Sequence, residues 1–73
     1  MQKEKIAIKG EFITMDKLLK FSGVAATGGQ AFMMVEDGII CLNGKLVTEK
    51  RKKVFIGDVV NIDKQIELTI ISE

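Results

Sequence analysis

A chain of 73 residues with 47% hydrophobic residues has room for one small core and is too apolar for a disordered tail, so we read residues 1–73 as one domain. It has no histidine and a single cysteine, Cys41, which excludes an internal disulfide and argues against a soft-metal site. The net charge of +1 hides an asymmetry: residues 41–53 carry Lys45, Lys50, Arg51, Lys52 and Lys53 against Glu49, a local balance of +4, so the remainder sums to −3.

In chain order, "KIAIK" (residues 5–9) alternates Ile6 and Ile8 with more polar neighbours, the period of a half-buried strand, and Gly10 breaks it. Thr14 stands where a helix N-cap belongs, with Asp16 in the first turn. The first helix should run over residues 15–22, with Met15, Leu18, Leu19 and Ser22 on one side, Lys17 and Lys20 on the other, and Gly23 at its C-terminus. A second helix begins after Thr27. Thr27 and Gln30 have capping-box spacing, in which each side chain bonds a backbone N–H of the other residue. Ala31, Met34 and Val35 have core spacing, and Gly38 closes the helix. "IICL" (39–42), the Asn43-Gly44 dipeptide and "KLVT" (45–48) predict a hairpin. Residues 50–53 follow as a loop or strand edge. Gly57-Asp58 marks a turn before "VVNID", and "IELTIIS" (66–72) is the last strand. Strand, two helices, then several strands predict an α+β fold, with two short helices on one side of a mainly antiparallel sheet.

The "TGGQA" run (27–31) lacks the lysine and hydroxyl of a Walker loop and the spacing of a dinucleotide fingerprint, and no other cofactor motif is present. It reads as a helix start. The exposed N–H groups of Gly28 and Gly29 remain able to hold one phosphate. The run "KRKK" (50–53) reads either as a solvated loop or, with Lys45, Lys17 and Lys20, as a phosphate-binding face. Phe12, Phe21 and Phe55 are expected in the core. Phe32 and Met33 lie off the stripe of the second helix; Phe32 reads as packing, and Met33 is open to a partner. Catalysis finds no support: Glu36 and Asp37 are adjacent and point apart, and Cys41 reads as a buried small hydrophobe with no base to activate it. The longest apolar runs, about five residues, fall far below the roughly 18 of a membrane span, and no signal-peptide core follows "MQKEK", so a cytosolic setting is expected.

Residues 14–62, "TMDKLLKFSGVAATGGQAFMMVEDGIICLNGKLVTEKRKKVFIGDVVNI", resemble the S-four RNA-binding domain, also called the alpha-L motif. The matching features are Asp16 and Leu19, Gly23, Ala31, Gly38, Asn43-Gly44 with Lys45, and Gly57-Asp58. The resemblance implies RNA binding, to structured RNA such as ribosomal or transfer RNA, through both helices and the hairpin. Carried over by position, the surface takes Lys17 and Lys20, then Thr27, Gly28 and Gln30, then Asn43 and Lys45, extended by Lys50, Arg51, Lys52 and Lys53. Many members place Ser-Arg at the start of the second helix; here the pair is Thr27-Gly28, and the chain looks most like the small stand-alone bacterial subgroup. A rival reading is a protein-interaction module using Phe32 and Met33. A third is a phosphate-bearing ligand docked at Thr27–Gln30.

Overall fold

Side-chain alternation decides the sheet. In a strand, successive residues face opposite sides, so apolar residues two apart share one face. The computed structural model describes residues 2–73, in which β1 (Gln2–Ile8), β3 (Ile40–Leu42), β4 (Lys45–Leu46), β6 (Val59–Ile62) and β7 (Ile66–Ser72) form one sheet in the order β1-β7-β6-β3-β4. Register aligns the apolar sets: Ile6 opposes Ile70, Leu68 opposes Val60, and Ile62 opposes Ile40. The other three pairings are antiparallel, whereas β1 and β7 run parallel. A parallel pair needs a long crossover. Here everything between β1 and β7 serves as that crossover.

Two helices, α1 (Met15–Phe21) and α2 (Gly28–Glu36), supply the other half of the core. Met15, Leu18 and Leu19 of α1 and Ala31 and Val35 of α2 are buried in one cluster with Ile8, Ile40, Val60, Ile62, Leu68 and Ile70 of the sheet. The predicted α+β architecture is therefore observed. Both helices stop on glycines with left-handed backbone, Gly23 (φ 82°) and Gly38 (φ 73°). Asn43 (φ 50°) and Gly44 (φ 85°) make the tight hairpin turn between β3 and β4.

Several expectations need correction. Thr14 is the N-cap residue of α1 by backbone conformation, but its side chain makes no capping hydrogen bond. The second hairpin arm is shorter than "KLVT": β4 ends at Leu46, and Val47 is held by its N–H to the Ile40 carbonyl, 2.9 Å. A second, two-stranded sheet joins β2 (Phe12–Thr14) to β5 (Lys53–Phe55). Phe12, Phe21 and Phe55 are exposed rather than core, because the short β2–β5 ribbon turns Val54 inward and its two phenylalanines outward, and Phe21 is the last residue of α1. Cys41 is half-buried, since it lies on the sheet face opposite Ile40.

Truncating a fully buried side chain leaves a cavity that so small a core cannot refill. Leu19→Ala is expected to destabilise the fold by about 2–5 kcal/mol, and Met33→Ala on the exposed face of α2 by less than about 0.5 kcal/mol. Urea unfolding midpoints at unchanged m-value check both.

Candidate nucleic-acid interface

The basic segment is positioned by its ends. Val47 is anchored under β3, and the Lys52 carbonyl accepts a hydrogen bond from the Met15 N–H, 2.8 Å, at the start of α1. Between these ties the chain crosses α2. Lys50 Nζ lies 2.6 Å from Glu36 and 5.3 Å from the Phe32 ring centroid, and Arg51 Cζ lies 6.0 Å from the same ring. Both partners of the Lys50–Glu36 pair are largely exposed, so the pair contributes at most about 1 kcal/mol. Phe32 is half-buried under these cations. Its expected packing role is met partly by the basic loop itself.

Arg51 also acts on Asp16. Burial pushes the Asp16 carboxyl up, but the neighbouring Thr14 hydroxyl, the backbone N–H groups of Lys17 and Asp16 and the Arg51 charge outweigh it, leaving the group below the usual 3.8. The Thr14 hydroxyl lies close enough to favour the carboxylate without completing a hydrogen bond of good geometry. The N-terminal end of α1 thus has its own anion.

Lys45 and Lys52 share a second feature. With Asn43 and Thr48 they line a surface concavity of about 360 Å³ whose apolar wall is Leu42, Leu46 and Val47, and Glu49 is the one acid in it. The Asn43 carboxamide is engaged in the fold: it donates to Asp58 Oδ1, 3.1 Å, and accepts from the Val59 N–H, 2.9 Å. The other Asp58 oxygen accepts from the Phe55 N–H, 2.8 Å. Asp58 therefore links the hairpin turn to the β5–β6 turn and fixes the wall from which Lys45 projects.

At the start of α2, the Gln30 N–H donates to Thr27 Oγ1, 3.1 Å, as a capping box requires. The reciprocal arm differs from expectation: Gln30 Oε1 accepts from the Ala26 N–H, 2.8 Å, instead of that of Thr27. Neither Gly28 nor Gly29 has a left-handed backbone, and a Cβ at Gly28 would meet only open space. No acid stands in the first turn of α2, in contrast to α1.

Of the residues singled out from the sequence, Lys45 and Lys52 meet in the groove, while Lys50 and Arg51 lie on the Phe32–Glu36 face of α2. Lys53 instead stacks on Phe12, its Nζ 4.9 Å from the ring centroid. Lys17 and Lys20 are exposed on α1, and among the described residues no ion pair or cation–aromatic contact joins them to the loop. Sequence reasoning missed Asp58 as the organiser of the groove; its place after Gly57 marked a turn but gave no partner. The described residues contain no cluster of metal-ligating side chains and no helix long and apolar enough to cross a membrane.

This arrangement of two helices packed on a mostly antiparallel sheet is an α+β fold consistent with the S4 domain. The S4 domain, the S-four domain of the sequence resemblance, matches residues 6–71, nearly the whole chain, and the chain belongs to that family. S4 domains are in general RNA-binding modules rather than catalytic domains. No curated protein matches the chain.

Asp58→Ala removes two hydrogen bonds, from the Asn43 carboxamide and the Phe55 N–H, and releases the Asn43 side chain that holds the Val59 N–H; it should destabilise the fold by about 1–3 kcal/mol, with faster amide exchange at Phe55 and Val59. Asp16 supplies a pH signature. Its folded-state pKa is lowered, so its ionised form stabilises the fold above pH 3.8 and that contribution is lost as pH falls further. Asp16→Asn should lower stability at neutral pH and flatten the acid limb of a stability–pH curve.

Proposed function

We propose that this chain is a non-catalytic RNA-binding module that grips the phosphates of a structured, ribosome-associated RNA in the bacterial cytoplasm. The observation that carries the reading is the basic loop: one segment lays Lys50 and Arg51 across α2 and brings Lys52 into the groove with Lys45. Clustered cations on a fixed backbone release counterions from nucleic acid, and a near-neutral total charge does not weaken a local field of this kind. Lys45, Lys50, Arg51, Lys52 and Lys53 make the phosphate contacts, with Lys17 and Lys20 extending them along α1. Asn43 sets the groove wall, and Thr27, Gly28 and Gln30 present the bare start of α2 to the same backbone. The RNA class, ribosomal or transfer, rests on family resemblance.

A rival use of α2 is kept by Met33, which is 62% exposed and has no packing role. Phe32, half-buried beside Lys50 and Arg51, offers such a partner less surface than Met33. In a protein-interaction module, Met33 would anchor the partner and the loop would be dispensable.

Changing Lys50, Arg51, Lys52 and Lys53 together to glutamine separates the two. RNA affinity should fall, and the slope of log affinity against log salt should flatten by up to about 3, at roughly 0.7 per lost phosphate contact. Titration of a ribosomal RNA hairpin across a salt series measures this. Unchanged affinity and slope reject the loop as the RNA-binding element.

A further inference from the structure

Three of the four phenylalanines are exposed, and two of these are paired by the fold. Phe12 and Phe55 are direct register partners across β2–β5, with ring centroids 5.8 Å apart and planes tilted by 48°. Their chain neighbours point the other way, Val54 fully buried and Ile13 half-buried, so the ribbon is held from beneath while both rings face out. Phe21, 66% exposed at the end of α1, lines with Phe12, Ile13 and Ile8 a shallow concavity of about 330 Å³, with Lys9 and Glu73 on its rim. Lys53 Nζ sits over the Phe12 ring at 4.9 Å.

We propose that this aromatic surface stacks unpaired nucleobases of the RNA whose backbone the basic loop holds. The inference rests on the RNA-binding reading above and adds to it a second contact of different chemistry. An exposed ring face accepts any base, because every base has a π-face, and a neighbouring cation neutralises the phosphate that accompanies it. Lys53 supplies the continuity: it is the last residue of the basic run and also the cation on Phe12. Single-stranded nucleotides beside a structured element therefore find rings and positive charge together. An apolar peptide could cover the rings but would leave Lys53 without a partner. That favours the nucleic acid.

The test compares a blunt hairpin RNA with the same hairpin carrying a short oligoadenosine tail at either end, bound by the full chain and by Phe12→Leu/Phe55→Leu. Leucine keeps the apolar surface and removes the π-face, and an unchanged unfolding midpoint shows that the ribbon persists. The wild type should bind a tailed hairpin about tenfold more tightly, within the range that one stacked base supplies. The variant should bind both forms like the blunt one. A fluorescent purine analogue in the tail should change its emission on binding the wild type and not the variant. Hairpin binding with no gain from either tail, or a gain that survives in the variant, overturns the proposal. Self-association of the wild type that the variant abolishes assigns the rings to a protein contact and overturns it as well. Failure of every hairpin to bind overturns the RNA-binding reading itself, and this inference with it.

Discussion

Asp58 is the constraint through which the working surfaces depend on one another. Its two carboxylate oxygens hold the Asn43 side chain and the Phe55 N–H, while Asn43 in turn holds the Val59 N–H. Three separate pieces meet there: the β3–β4 turn, the end of the aromatic ribbon and the start of β6. Each bond is exposed, and bonds of this kind contribute only about 1 kcal/mol net. The core supplies most of the stabilisation, since among the described residues fourteen apolar ones are buried in one cluster without a buried polar or charged residue. Burial, however, is non-directional. It brings elements together without fixing the angle of a hairpin, and the hydrogen bonds of Asp58 do that.

A similar division holds for the charges. Lys50 pairs with Glu36, Arg51 lowers the pKa of Asp16, and Lys53 rests on Phe12, so three of the four cations of "KRKK" have a local task. Each task is weak, because the groups are exposed and screened. Such contacts hold the side chains near one orientation without neutralising the loop.

Signals confined to a few neighbouring residues were legible in the sequence. Asn43-Gly44 gave the hairpin, Gly23 and Gly38 the helix ends, and Thr27 with Gln30 the cap, because each is a local hydrogen-bond or dihedral requirement. The Asp63-Lys64 turn between β6 and β7 carries no such signal: both residues have positive φ (52° and 56°), a conformation usually marked by glycine or asparagine. The β1–β7 pairing is parallel and joins the two ends of the chain, so no local pattern encodes it. The ribbon was missed because its strands have three residues each, too few for a period. For the candidate interface, the cationic loop was visible as composition, but which cation faces which partner depends on tertiary contacts.

The phenylalanines show why hydrophobicity alone misplaces residues in a small domain. A chain of this length hides only about 60% of its surface on folding, so some large apolar side chains must remain outside. A single exposed ring therefore says little. Phe12 and Phe55 differ because the register makes them partners, the ribbon is fastened by Val54 beneath them, and the Lys52 carbonyl ties its edge to α1. Stability of the ribbon comes from its inner face and its backbone. Its outer face is free of folding duties, and a lysine of the basic loop extends over it. The basic run and Phe55, one of the two paired rings, lie on one chain segment, residues 50–55, with the Asp58 hydrogen bond at Phe55 fixing its far end.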